Sequence, residues 1–277
     1  EKLSPKGSSC SGRVVVKNGN GNLLYQAFVD CGEDYQTESL SSHILSNEDR
    51  VTSGEGLYEV NGKYVYRGED PDNYITFAKQ TYRIVQVNAD KSIDIIATSD
   101  RKRVVWDDRY NQEVGKSDGI NDYSVSRVRD TLMEYINSEA FQDADRLLLE
   151  PFVVCAGKVA SDAPYTLDQE CSSPVMGQMI ALLPVTSYAY ASIDSLCRTV
   201  YDGNCQNYNY LSSYDSNWWT VTGNTAGSNL VYQISSGAYV DSVRASMKAS
   251  PREVIRISSQ AVYVSGDGSS ASPYVIK

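Results

Sequence analysis

Histidine is nearly missing from this chain: His43 is the only one among 277 residues, and most imidazole chemistry goes with it. A zinc site would need ligands the sequence does not group, because no cysteine couple has CxxC spacing and there is no second histidine. A thiol nucleophile would have only His43, in SSHILS, as its base; that residue is expected at the surface or at a helix end. No apolar run approaches the 18 or more residues of a membrane span. No signal peptide opens the chain, whose first residue is Glu1 rather than Met, as in a mature or trimmed product. Basic residues are outnumbered: 25 Lys and Arg against 35 Asp and Glu give a formal charge of −10. That balance argues against nucleic acid and anionic membrane as partners, since phosphate binding needs a basic face. The densest basic cluster, Arg101-Lys102-Arg103, lies beside Asp100, Asp107 and Asp108 and reads as a solvated strand end. The GxSxG, HExxH, P-loop and dinucleotide fingerprints are all absent. No carboxylate pair is marked as a glycosidase acid and nucleophile.

What is abundant is tyrosine, 21 residues against 4 Phe and 3 Trp. Tyrosine buries apolar area while keeping a hydroxyl for water or ligand, so its excess favours broad, half-exposed recognition surfaces. Six cysteines, Cys10, Cys31, Cys155, Cys171, Cys197 and Cys205, fall in three local couples. Of the 15 possible connectivities, Cys10–Cys31, Cys155–Cys171 and Cys197–Cys205 join neighbours in sequence and are the pairing expected. Such a scattered, even set indicates an oxidising compartment. Hydrophobic residues at 41% and charged residues at 22% are ordinary for a globular chain able to bury a sizeable core.

The clearest periodic signal runs from Tyr64 to Ile96. Tyr82, Ile84 and Gln86 alternate with Arg83, Val85 and Val87, and Ile93, Ile95 and Ile96 follow the turn formers Asn88-Ala89-Asp90-Lys91-Ser92. This predicts a half-buried hairpin. Nearer the start, Arg13-Val14-Val15-Val16-Lys17 and Leu23 to Val29 flank Asn18-Gly19-Asn20-Gly21-Asn22, a second hairpin, since Asn and Gly accept positive φ. A Cys10–Cys31 bridge would tie its open end. Residues 40–60, with SSHILSNED and TSGEG, make the best linker.

The first hairpin resembles the C-terminal β-hairpin of Gram-positive type IV pilin-like proteins. The likeness lies in a cysteine, a V-x-V strand, a Gly/Asn turn, a Tyr-bearing strand ending in Cys, and then Tyr35-Gln36-Thr37. It implies a hydrophobic pilin helix upstream. From Tyr64 onward the chain resembles an uncharacterised family of bacterial surface-protein domains, many from Firmicutes, with a C-type-lectin-like fold related to the formylglycine-generating enzymes. The residues that carry this are Gly68-Glu69-Asp70-Pro71-x-Asn73-Tyr74-Ile75-Thr76-Phe77, Tyr82-Arg83-Ile84-Val85 and Ile93-Asp94-Ile95-Ile96. Further matches come in order: a helix within Tyr123–Phe141, capped by Ser124 or Ser126 and built on Val125, Val128, Leu132 and Ile136; short apolar runs at Leu147–Val154 and Met179–Val185; a second helix over Thr186–Ser192. Strands at Trp218–Thr222, Leu230–Ile234, Arg252–Ile257 and Pro273–Ile276 complete it, the last after a Gly266-Asp267-Gly268 turn. Lys79 stands where the family has Gly, which implies a different hairpin turn, and Glu253 stands where it prefers Pro. The resemblance implies an α+β fold: a C-type-lectin-like domain over 51–277, with a twisted antiparallel sheet and two helices, joined to a pilin-like hairpin segment over 1–50.

Asp70-x-Asp72-Asn73, Asp90-Lys91-Ser92 and Asp202-Gly203-Asn204 are oxygen-rich loops that Ca²⁺ could use. They lack a twelve-residue loop ending in Glu, and Asp, Asn and Gly make turns for their own sake. The Glu-Pro-Asn, Gln-Pro-Asp and Trp-Asn-Asp tripeptides of calcium-dependent sugar sites are absent, so no metal is assigned. The stretch Tyr201 to Trp219, YDGNCQNYNYLSSYDSNWW, mixes flat apolar faces with adaptable hydrogen-bonding groups, as recognition sites do. Tyr208, Tyr210, Tyr214, Asp215, Asn217, Trp218, Asn224 and Tyr239 are the candidate ligand-binding residues, even though the resemblance makes Trp218-Trp219-Thr220 a core strand. The sequence therefore reads as a non-enzymatic, extracellular protein displayed on the cell surface, a minor or tip pilin-like adhesin. Its partners would be other pilin subunits and a glycan or protein on a host or bacterial surface. The alternatives are a structural pilus or envelope subunit and an enzyme of the formylglycine-generating type, which would need reactive cysteines.

Overall fold

A computed structural model describes residues 10–19, 22–31 and 37–277. In chain order the elements are β1 (Ser11–Gly19), β2 (Asn22–Asp30), α1 (Leu40–Asn47), β3 (Gly56–Val60), β4 (Lys63–Arg67), β5 (Tyr74–Phe77), β6 (Gln80–Val87), β7 (Ile93–Ala97) and β8 (Val104–Val105). Then come α2 (Arg127–Ile136), α3 (Asp143–Leu147), β9 (Phe152–Cys155), β10 (Lys158–Val159), β11 (Pro174–Gln178), β12 (Ile180–Leu182) and α4 (Val185–Ala191). The chain ends with β13 (Trp218–Asn224), β14 (Leu230–Ile234), β15 (Val240–Arg244), β16 (Lys248–Ala249), β17 (Glu253–Ile257), β18 (Tyr263–Ser265) and β19 (Tyr274–Ile276). The class is α+β and dominated by sheet. A nine-stranded sheet runs β12-β17-β7-β6-β5-β19-β18, with the β3–β4 hairpin attached through β4 to β6. A second sheet runs β10-β13-β14-β15.

The β6–β7 hairpin forms as its alternation predicts, Ile84 opposite Ile95 and Val87 opposite Ile93. It is not half-buried, however. With β17 on one side and β5 on the other, both strands lie inside the large sheet, and β7 is buried along its whole length. Strands covered on both faces read as near-continuous apolar runs, which is what Ile93, Ile95 and Ile96 make. Arg83, also buried, is the exception on β6 and is provided for. Its guanidinium binds Asp70 Oδ1 at 3.0 Å, the Pro71 carbonyl at 3.0 Å and the Asn73 side chain, and lies 3.7 Å from the centre of the Tyr74 ring. The Asp70-x-Asp72-Asn73 loop is thus folded around an arginine.

Three local readings are corrected. Residues 40–60 are not a linker. Ser39 caps α1 by accepting from the Ser42 amide at 3.2 Å, Leu40 and Ile44 fall one turn apart and are both fully buried, and β3 follows. His43 lies within that helix, stacked 3.6 Å from Tyr263 and bonded to Glu38 at 2.6 Å. Arg101 is not a solvated charge: it pairs with the fully buried carboxylate of Glu253 and sits 4.0 Å from the Tyr135 ring. Glu253 accordingly opens β17 where a proline was expected. Lys79 does not avoid the left-handed backbone that a glycine would take without strain: with Ala78 at 47° and Lys79 at 62° it closes a two-residue turn between β5 and β6, the mirror-image geometry that suits hairpin twist.

The two helices expected from the resemblance are α2 and α4; α1 and α3 were not foreseen. Ser126 caps α2, and Val128, Leu132 and Ile136 face the core, but Val125 stays outside in the preceding 3₁₀ turn. Helix α4 has Pro184 at its cap position rather than Thr or Ser, and a distant carboxylate serves instead. Glu170, fully buried, accepts from the Thr186 amide at 3.2 Å and Thr186 Oγ1 at 2.5 Å, and from Thr222 Oγ1 on β13 at 3.0 Å. Desolvation raises its pKa, and these hydrogen bonds only partly offset that.

At the start of the chain β1 and β2 pair from Ser11–Asp30 to Gly19–Asn22, and the Cys10–Cys31 disulfide closes the open end as expected. Phe28 and Gln26 are buried on one face of this hairpin, while Val14, Val16, Leu23 and Tyr25 are exposed. Lys17 ties it to the larger unit through Glu150 at 3.1 Å. Asn20, Gly21, Tyr35 and Gln36 lie outside the described residues.

Candidate functional site

The Tyr- and Asn-rich stretch divides into an inner layer and an outer one. Asn209 holds the inner layer in place. Its buried amide donates to the carbonyls of Tyr188 at 2.9 Å and Cys205 at 2.8 Å, and its Oδ1 accepts from the Leu211 amide at 3.0 Å. The next residue is pinned to the end of β4, because the Tyr210 amide donates to the Gly68 carbonyl at 2.6 Å. Behind it Trp218 packs edge-on against Tyr188 and Tyr214, at 5.9 and 6.4 Å between ring centres. Arg252 is buried over Tyr214 and Trp218, 4.3 and 5.0 Å from the ring centres, and donates to the Ala97 carbonyl at 2.7 Å and the Leu211 carbonyl at 3.2 Å. Burial lowers the Arg252 pKa to about 10 and raises that of Tyr214 to about 12.

Tyr210, Tyr214, Trp218 and Asn224 are therefore not ligand contacts. The first three are core side chains, and Asn224 spends its amide on Ser161 Oγ at 3.1 Å and Ser242 Oγ at 2.8 Å. For Trp218 and Asn224 the physical reason is alternation lost: β13 is covered on both faces, so every residue from Trp218 to Asn224 is buried. Asn217 is half-buried, and its Oδ1 accepts from the Ser236 amide at 2.9 Å. Asp215 is exposed.

Tyr208 and Tyr239 carry the outer layer, 57% and 51% exposed. Two neighbours join them that the candidate set left out, Leu196 at 52% and Tyr201 at 47%. Tyr201 lies within the ring closed by Cys197–Cys205, the disulfide expected there, and Leu196 and Tyr208 flank that ring in sequence. The Tyr239 ring covers Gly203 within that ring so closely that an added Cβ would sit 3.5 Å from it. Tyr208 and Ala238 share one groove of about 510 Å³, whose other walls include Glu69, Asp194, Asn207 and Asn209. Tyr208 has φ of 46°, which costs a non-glycine residue about 1–2 kcal/mol. Asp194 accepts from Asn207 Nδ2 at 2.8 Å and the Leu196 amide at 2.8 Å, and those bonds hold its carboxyl below the usual range. The signal that could have found Leu196 and Tyr201 is their place beside and within a short disulfide ring, where a side chain has little core to reach.

The other polar clusters are satisfied internally. Asp90 accepts from the Ser92 amide at 3.0 Å and hydroxyl at 2.6 Å, and Asp202 from the Asn204 amide at 3.0 Å, so these two of the three oxygen-rich loops carry turn hydrogen bonds. Cys155, Asp168 and Cys171 come close together, but the two sulfurs form the third expected disulfide and Asp168 pairs with Lys63 at 2.6 Å. A cleft of about 400 Å³ on the large sheet has the Asp94–Arg256 pair on its floor, joined by two bonds of 2.6 and 2.9 Å. All six cysteines are in disulfides. Compared with known proteins, the chain matches no protein-family model, no curated protein and no solved structure.

Proposed function

We propose that this chain is an extracellular, surface-displayed binding protein that recognises a glycan or protein through the face made by Leu196, Tyr201, Tyr208 and Tyr239. One observation carries the reading. Four large side chains about half exposed lie within the Cys197–Cys205 ring (Tyr201), beside it in sequence (Leu196, Tyr208) or packed on its Gly203 (Tyr239), next in the chain to a buried layer of Tyr210, Tyr214 and Trp218. Contiguous exposed apolar groups with polar neighbours mark interaction sites, and rings held from beneath lose little entropy on binding. Three disulfides suit an oxidising, extracellular setting. The C-type-lectin-like and pilin-like resemblances fit an adhesin carried on a pilus. Screening labelled protein on glycan and surface-protein arrays tests this; the same signals should fall at least tenfold for the Tyr208→Ala/Tyr239→Ala variant, and an unchanged profile would sink the reading.

A second reading, assembly into a pilus or envelope structure, is favoured by the exposed Val14, Val16, Leu23 and Tyr25 on one face of the first hairpin. Val16→Glu/Tyr25→Glu would then abolish incorporation into the assembly while leaving array binding intact. Normal incorporation of that variant would count against this role.

A further inference from the structure

The face described above has a sign as well as a shape. The groove beside Tyr208 is lined by Glu69 and Asp194, and no Lys or Arg among the described residues lines it. Neither carboxylate takes part in an ion pair among the described residues, in contrast to Asp70 next door, which is bound to Arg83. Asp202 adds a third carboxylate on the same loop, next to the Gly203 that Tyr239 covers. The nearest bases are spoken for or stand apart. Arg67, under the loop, is committed to the carbonyls of Tyr190 and Ser192, and the exposed Arg198 does not line the groove. Gln206 and Ser212 line it as well, and among the described residues neither side chain has a hydrogen-bond partner.

Aromatic faces attract cations through the ring quadrupole, and unpaired carboxylates add a long-range term of the same sign. An anionic ligand would meet two carboxylates and no counter-charge; a neutral one would leave both without a counter-charge. Resting on the binding reading above, we infer that this groove takes a basic partner: an extended peptide segment carrying arginine or lysine. Its cationic side chain lies against Tyr208 and is paired with Glu69 or Asp194, and Gln206 and Ser212 bond the peptide's amide groups.

The test is fluorescence anisotropy of the whole chain with three labelled hexapeptides, Gly-Arg, Gly-Glu and Gly-Ser repeats, over a range of salt. The arginine peptide should bind, more weakly as salt rises, and the other two should not. Glu69→Gln/Asp194→Asn should weaken it about three- to tenfold, given what exposed ion pairs contribute. Tyr208→Ala should weaken it about two- to tenfold, the range of exposed cation–π contacts. Because the chain carries a charge of −10, a control removes two exposed acids elsewhere, Glu134→Gln/Glu139→Gln, which should leave affinity within about a factor of two. The inference is overturned if the arginine and serine peptides bind alike, if none binds, or if the control pair matters as much as the groove pair. An array ligand lost in Tyr208→Ala, yet indifferent to salt and to Glu69→Gln/Asp194→Asn, would overturn the basic partner while leaving the binding reading intact.

Discussion

Replacing Glu170 separates two roles that its burial combines, acceptor and charge. In Glu170→Ala the Thr186 amide loses its acceptor and cannot turn to find another, and the hydroxyls of Thr186 and Thr222 lose theirs. An orphaned buried amide costs about 1–3 kcal/mol and each rotatable hydroxyl about 1 kcal/mol, so the loss should reach about 3–5 kcal/mol. Glutamine keeps the acceptor for the Thr186 amide and Thr222, and its Nε2 can donate to Thr186 Oγ1 once that hydroxyl turns. At neutral pH Glu170→Gln should therefore stay within about 1 kcal/mol of wild type. The pH dependence gives the sign. Desolvation raises the folded-state pKa of Glu170 above its ordinary 4.5, so the folded chain holds that proton more tightly than the unfolded one. Stability from this group is complete below pH 4.5 and lost as pH rises through the folded value, at about 1.4 kcal/mol per unit of upward shift. Glutamine removes the dependence. Urea unfolding of both proteins from pH 4.5 to 8 isolates it, because every other titrating group is common to the two: the wild type should lose ground to the variant as pH rises. Parallel curves, or a glutamine variant several kcal/mol weaker throughout, would refute the account.

Lys79→Gly should stabilise the chain by about 1 kcal/mol in urea melts by relieving its left-handed backbone, and a destabilised variant would contradict the turn geometry. Arg101→Met should cost about 3–5 kcal/mol, because it leaves the buried Glu253 carboxylate without its cation; a loss below 1 kcal/mol would mean that the carboxylate is solvated. Cys197→Ser/Cys205→Ser opens a ring of sequence separation 8 and should lower stability by about 2.5 kcal/mol on chain-entropy grounds. It should also weaken array binding, since Leu196, Tyr201 and Tyr208 lose their frame. Unchanged binding in that variant would show that the ring does not organise the face.

Where a single local rule decides, the sequence was legible. Alternation marked β6 and β7, Asn and Gly marked the first hairpin, and sequence neighbours identified all three disulfides. Leu230–Ile234 and the strand ending at Ile257 also fall where the resemblance implied them. What failed depends on distant partners. Residues 40–60 looked like a linker because the apolar residues of α1 that reach the core, Leu40, Ile44 and Leu45, are set among serines and polar residues. Arg101 looked solvated because Glu253 lies 152 positions away in sequence. Half of the candidate site was lost for a related reason: a tyrosine or tryptophan in a polar run looks the same whether it points outward, as Tyr208 does, or lies under its neighbours, as Tyr210 and Trp218 do. The difference is set by Asn209, Gly68 and Arg252, which the linear pattern does not bring together.

The most direct test of the central claim is a side-by-side measurement of array binding by wild type and Tyr208→Ala/Tyr239→Ala, with thermal unfolding of each. Both side chains are exposed, so the melting temperatures should agree while binding falls at least tenfold. Equal binding at equal stability would contradict the account and move the function away from this face.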